Sequence, residues 1–153
     1  MRTKAKRITT ETAFWDTSGL IPLLCFQPQS AKSRQAARVY SRQVVWWATI
    51  VEAVGSLSRG LRRGHLSRVE TNQAFARLEY MRRHWNEQQP NDHLREQAQR
   101  LLRTHDLRAA DAMQLAAALA WCSHRPRGRC FIGADNKLSE AAEAEGFTVI
   151  RLL

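Results

Sequence analysis

Short apolar runs set between longer segments of helical periodicity are the feature that most narrows what this chain can fold into. Four runs qualify as strands: residues 13–15, 43–47, 129–132 and 147–151, all short and rich in aromatic or β-branched side chains. Between them the pattern predicts helices over 18–25, stopping near Pro28, and over 30–41, with Ala36, Ala37 and Tyr40 on one side. A helix over 49–62 ends at Gly64, and a long amphipathic one over 66–85 carries Val69, Ala76 and Met81 among its apolar positions. The polar run NEQQPND breaks that helix, and two more follow over 91–104 and 106–122. The second of these is strongly apolar through MQLAAALAW, so it is expected to pack on the sheet. A last helix over 139–145 is closed by Gly146. This alternation predicts an α/β domain with a parallel sheet.

The chain has 153 residues, within the range of one domain that buries its own core. Residues 1–12 are polar, basic and unpatterned, and are expected to form a flexible basic arm ahead of a domain over 13–153. Cys25, Cys122 and Cys130 are odd in number and lack a CxxC spacing, so neither a disulfide framework nor a zinc ribbon is expected. Cys122, His124 and Cys130 have no fourth partner at a zinc spacing. A reducing cytoplasm fits best. No apolar run approaches the roughly 18 residues of a membrane span, so neither an anchor nor a signal peptide is expected. The 24 Lys and Arg against 14 Asp and Glu give a net charge of +10, which favours a polyanionic partner.

Carboxylates fall at telling places in this pattern. Asp16 follows the first strand directly, Glu52 lies in the first turn of the helix after the second, and Asp135 follows the third. All three belong to the edge at the carboxyl ends of the strands, where open α/β sheets bind ligands. Asp111 joins them from the beginning of the apolar helix, if that helix starts near Asp106. Packed together, four carboxylates repel and raise one another's pKa unless a cation neutralises them. Oxygen ligands without histidine or thiolate favour Mg2+ or Mn2+. Such an ion suits phosphodiester hydrolysis, because it activates water and neutralises charge on the phosphate.

Each acid also has a purely structural explanation. Thr49-Ile50-Val51-Glu52 matches a capping box, and Asp16 and Asp135 are placed to cap helices. Asp111 resists that explanation, since Asp106 already stands at the expected cap of the same helix. Trp46 and Trp47 could stack bases, but in a strand they point to opposite faces and are better explained as core. The five histidines lie mostly in polar surroundings and receive no catalytic role.

Four segments also carry a family resemblance. FWDTSGLIPLL resembles the first strand and acid of PIN domains, and TIVEAVGSLSR their second acidic helix. LRAADAMQLAAALA is similar to the VapC motif LRAxDALHLAAAL, and ADNKLSEAAEAEGFTVI to the closing D-x-x-L-x-x-A-A-x-x-x-G segment. The resemblance spans residues 13–151 in order, with the LRAAD segment most specific. It implies a PIN-like three-layer α/β/α sandwich around a parallel sheet of four to five strands. It implies Asp16, Glu52, Asp111 and Asp135 as metal ligands and catalytic acids, with a nearby hydroxyl from Ser18 or Thr17, of which Ser18 is preferred although it could cap the following helix. It further implies an endoribonuclease acting on structured RNA such as tRNA or rRNA, a homodimer, and a cognate antitoxin of the VapB kind. Arg108 and Lys137 are the expected phosphate contacts, with Arg125, Arg127 and Arg129 also placed near the site edge. The first strand lacks the usual Ile or Val, and Asn136 follows Asp135 where some relatives carry a further acid. Two rivals remain: a PIN nuclease that matures RNA without an antitoxin, and a non-catalytic RNA-binding PIN module. Four acids facing phosphate argue against the second.

Overall fold

The computed structural model describes residues 11–153. Its sheet has five strands, β1 (Thr12–Trp15), β2 (Arg42–Trp46), β3 (Asn86–Gln88), β4 (Cys130–Gly133) and β5 (Thr148–Arg151), in the order β3-β2-β1-β4-β5. Every pairing is parallel. The helices are α1 (Thr17–Leu24), α2 (Ser30–Val39), α3 (Thr49–Arg62), α4 (Arg68–Arg82), α5 (Asp92–Thr104), α6 (Ala109–Trp121) and α7 (Asn136–Glu145). The expected arm over 1–12 lies outside the described residues except for Glu11 and Thr12. Glu11 donates its N–H to the Val39 carbonyl at 3.2 Å, and Thr12 opens β1.

A parallel sheet must be covered on both faces, and the alternation along β1 shows how. Phe14, Val44, Trp46 and Phe131 face one layer with Leu94, Leu101, Leu115 and Leu138 from α5, α6 and α7. Ala13, Trp15, Val45 and Ile132 face the other with Leu20 and Ala36 from α1 and α2. Phe14 stacks on Phe131 across β1 and β4, with ring centroids 5.5 Å apart. These two layers around the sheet make the three-layer α/β/α sandwich. A further apolar cluster joins α1, α3 and α4 through Ile21, Leu24, Ala53, Leu57, Ala74 and Leu78.

Three departures from the sequence pattern have physical causes. The strand β3 lies inside the polar run read as a helix breaker. It sits at the sheet edge, held to β2 by main-chain bonds that need no apolar side chains. The long helix α4 starts at Arg68 because Ser67 and Glu70 form a reciprocal capping box, with bonds of 3.1 and 2.9 Å. Its buried seam is Thr71, Ala74 and Leu78, which leaves Val69 and Ala76 exposed. Trp47, expected in the core with Trp46, lies beyond the end of β2. There its N–H donates to the Gln88 carbonyl at 3.0 Å while its side chain stays 49% exposed, against 4% for Trp46. The paired tryptophans therefore separate in a stability experiment. Trp46→Ala is expected to cost ~3–5 kcal/mol, as for a large aromatic removed from a core. Trp47→Ala is expected to cost less than ~1 kcal/mol. Urea unfolding midpoints measure both, and equal losses would contradict the assignment.

Candidate active site

The sheet order reverses at β1. The chain leaves β1 toward β2 on one side and later places β4 on the other, so a crevice opens at the carboxyl ends of these two strands. Asp16 lies at this point, and its backbone N–H donates to the Ile132 carbonyl at 2.9 Å, tying the end of β1 to β4. Gly19 lets α1 start hard against β4, since a Cβ there would lie 3.3 Å from the Ile132 carbonyl oxygen.

Asp16 is a true N-cap, accepting the Ser18 backbone N–H at 3.3 Å and the Ser18 hydroxyl at 2.5 Å. The Ser18 Oγ in turn accepts the Ala134 N–H at 2.8 Å, so one hydroxyl braces the carboxyl against the residue after β4. Capping does not make Asp16 comfortable. Burial pushes its pKa up to about 7; the Ser18 bonds oppose this, and the charges of Glu52 and Asp111 add to the rise.

The structural explanations of Glu52 and Asp111 change places. Thr49 is already the first residue of α3, with Ala48 at the cap position and no side-chain cap bond, so the Thr49–Glu52 capping box does not form. Glu52 instead turns inward, accepting the Thr17 hydroxyl at 3.1 Å and the Gln114 amide at 3.3 Å. Its pKa is raised by burial, against those two bonds, with Asp111 adding to the rise. The apolar helix α6 starts at Ala109 with Arg108 at the cap position, later than Asp106. Asp111 is therefore a first-turn acid whose carboxyl is helped by the Arg108 backbone N–H, contrary to the expectation that capping could not involve it. Burial still raises its pKa, and the charge of Asp135 raises it further. Asp135 caps α7 through the Leu138 N–H at 2.8 Å and is exposed.

The acids thus form an electrostatic chain from Asp16 through Glu52 and Asp111 to Asp135. Each carboxyl is turned toward its own donors. Among the described residues no group of three or more His, Cys, Asp or Glu is gathered closely enough to hold an ion in this arrangement. The donors themselves are carboxylate oxygens beside hydroxyls, a hard set that fits Mg2+ or Mn2+ and no softer ion. Arg108 is exposed beside Asp111, and Lys137 is exposed and donates to Asp106 at 2.8 Å, so both stand at the rim. Arg125, Arg127 and Arg129 precede β4 and lie at the opposite, amino-terminal edge of the sheet. Their expected place near the site is corrected; Arg129 lies 5.5 Å over the Trp121 ring.

The residue that sequence reasoning missed is Gln114. Its fully buried amide donates to Thr17 at 2.9 Å, Thr49 at 3.1 Å and Glu52 at 3.3 Å, linking α1 and α3 through α6. Its Oε1 is buried without a partner. The signal was present: a lone amide in MQLAAALAW, three residues after Asp111 and hence on the same helix face, must find partners when buried.

The family model for the PIN domain matches residues 13–144. This chain belongs to the PIN domain family. PIN domains are generally nucleases, and PIN nucleases typically use Mg2+ or Mn2+. The crystal structure of PAE2754 from Pyrobaculum aerophilum is similar with a TM-score of 0.60 over 95% of this chain and 92% of that chain, at 20% identity. At that identity the likeness is one of fold. No curated protein matches.

The strained carboxyl of this PIN domain has a measurable consequence in metal-free buffer. With its pKa raised from 3.8 to about 7, folded Asp16 keeps a proton that the unfolded chain releases, so stability falls as pH rises through that window. The loss is on the order of 4 kcal/mol at pH 8. Asp16→Asn keeps the capping acceptor and removes the charge. It is expected to raise the melting temperature at pH 8 and to change it little at pH 4, as followed by circular dichroism. A variant less stable than the parent at pH 8 would contradict this account.

Proposed function

We propose that this PIN domain is a Mg2+- or Mn2+-dependent endoribonuclease, the toxin of a VapBC-type toxin–antitoxin pair, acting on structured RNA such as tRNA or rRNA. The observation that carries the reading is a buried Asp16 facing the charges of Glu52 and Asp111 at the switch point of the sheet. Such repulsion is relieved by a bound cation. In this reading Asp16, Glu52, Asp111 and Asp135 hold the ion, which when bound supplies Lewis-acid polarisation of the phosphate and a lowered pKa for water.

The chain's own residues do the rest. Ser18 fixes the Asp16 carboxyl, and Thr17 and Gln114 fix that of Glu52. Arg108 and Lys137 at the rim are placed to contact RNA phosphate, and the net charge of +10 draws the polyanion in. The VapC-like LRAAD segment supports the toxin role, a VapB-like antitoxin and a homodimer. An exposed apolar stripe on and before α3, Trp47, Val51, Val54 and Leu61, supports a protein partner on that face. No helix among the described residues is long and apolar enough to cross a membrane, and a cytoplasmic place beside tRNA and ribosomes belongs to the same reading.

Asp111→Asn is expected to abolish RNA cleavage with the circular dichroism spectrum intact. Cleavage by that variant at the parent rate would sink the site. EDTA should stop the parent enzyme, and Mg2+ or Mn2+ should restore it. RNA held tightly in EDTA but never cut on adding either ion would favour a non-catalytic binding module. Cleavage without co-purification of a neighbouring small gene product would favour an RNA-maturing nuclease. Gln114→Leu removes the donor to Glu52. It is expected to raise the Mn2+ concentration for half-maximal rate by ~10-fold or more, as loss of a ligand's supporting bond does.

A further inference from the structure

His93 and His124 face each other at the end of the molecule remote from the carboxylates. Helices α5 and α6 pack side by side and antiparallel, so the second residue of α5 meets the turn that closes α6. Asp111 stands in the first turn of α6 and His124 beyond its last, which puts roughly 20 Å of helix between the two places. The two imidazole Nε2 atoms share a hydrogen bond at 3.0 Å, with ring planes at 86°, and an ion held by both would displace the proton between them.

We propose that His93 and His124 form a two-imidazole site for a late first-row divalent ion, Cu2+ or Ni2+. Imidazole nitrogens bind such ions at ~2.0–2.1 Å. Two nitrogens 3.0 Å apart can both reach one ion at that length, with an angle at the metal of about 95°. An angle near 90° suits the tetragonal geometry of Cu2+ or Ni2+, whereas tetrahedral Zn2+ would need the nitrogens farther apart. Imidazole also selects these ions over Mg2+, which the all-oxygen cluster at the other end of α6 would take. The ions therefore sort by donor chemistry.

The backbone holds one ligand in place before any ion arrives. Ser123 and His124 are both at positive φ, +53° and +58°, in a turn fixed by the Ser123 N–H on the Ala120 carbonyl at 3.2 Å and the His124 N–H on the Leu119 carbonyl at 2.8 Å. His93 is carried by the first turn of α5, whose cap Asn91 accepts the Leu94 N–H at 2.8 Å. Both rings are solvent-accessible, and no third His, Cys, Asp or Glu among the described residues joins them, so water fills the remaining positions.

The test uses the tag-free full chain in excess Mg2+, titrated with CuCl2. Electron paramagnetic resonance of the first equivalent is expected to show two equatorial imidazole nitrogens, and calorimetry one site. His93→Gln and His124→Gln should each weaken that site at least tenfold and remove the Cu2+-induced rise in melting temperature. His65→Gln and His84→Gln should leave it unchanged. A single coordinated nitrogen, or equal Cu2+ affinity in the parent and the His93→Gln variant, would overturn the proposal. Variants that lose stability but not Cu2+ affinity would reduce the pair to a hydrogen bond between α5 and the α6 turn.

Discussion

Asp16 lies where a central strand ends, a helix begins, and the neighbouring strand on the far side of the sheet is tied back by a main-chain bond. Burying a carboxyl there opposes the rest of the fold, because desolvation and two further acids all disfavour its charge. The surrounding structure is organised to hold it regardless. Ser18 bonds it from the first turn of α1 and links it to Ala134, while Gly19 lets that turn sit against β4. A position kept at such a cost in metal-free protein makes sense when the folded state has something to gain from the charge.

The other acids are held by different means, and the difference matters chemically. Glu52 is half-buried and fixed by side chains from α1 and α6, so its orientation depends on how three helices pack. Asp111 and Asp135 rest on backbone N–H groups at the starts of α6 and α7, where they benefit from the helix dipoles. Capping and ion binding are therefore not alternatives here. A carboxyl that uses one oxygen for a backbone N–H keeps lone pairs on the other, as it does in many sites where a helix start presents an acid.

Much of this was legible in the chain because the relevant forces are local. Aromatic and β-branched runs marked four of the strands, and the acids following them marked the edge at the carboxyl ends of the strands, where the proposed site lies. The fifth strand was hidden because an edge strand of Asn86, Glu87 and Gln88 is held by main-chain bonds, which leave no side-chain pattern. The capping assignments at Glu52 and Asp111 went astray for a related reason. They depended on a one- to three-residue shift in where α3 and α6 begin, and helix starts are decided by tertiary packing as much as by the residues at the cap. Gln114 was passed over because its helix reads as apolar, and its importance follows from what packs against it: Thr17, Thr49 and Glu52 are 97, 65 and 62 residues away in sequence.

The arrangement of charge connects the site to its proposed substrate. A protein of +10 that concentrates its repelling acids at one sheet edge has separated attraction from chemistry. Its surplus arginines attract the phosphate backbone over the whole surface, but the carboxyl cluster repels phosphate unless a divalent ion intervenes. RNA would then approach readily and be seated at the edge only when the ion is present. Gln114 contributes to that dependence from beneath. By donating to Glu52 it favours the ionised carboxylate over the protonated acid, so the apolar face of α6 carries a polar group whose effect is to favour the charge on a proposed metal ligand.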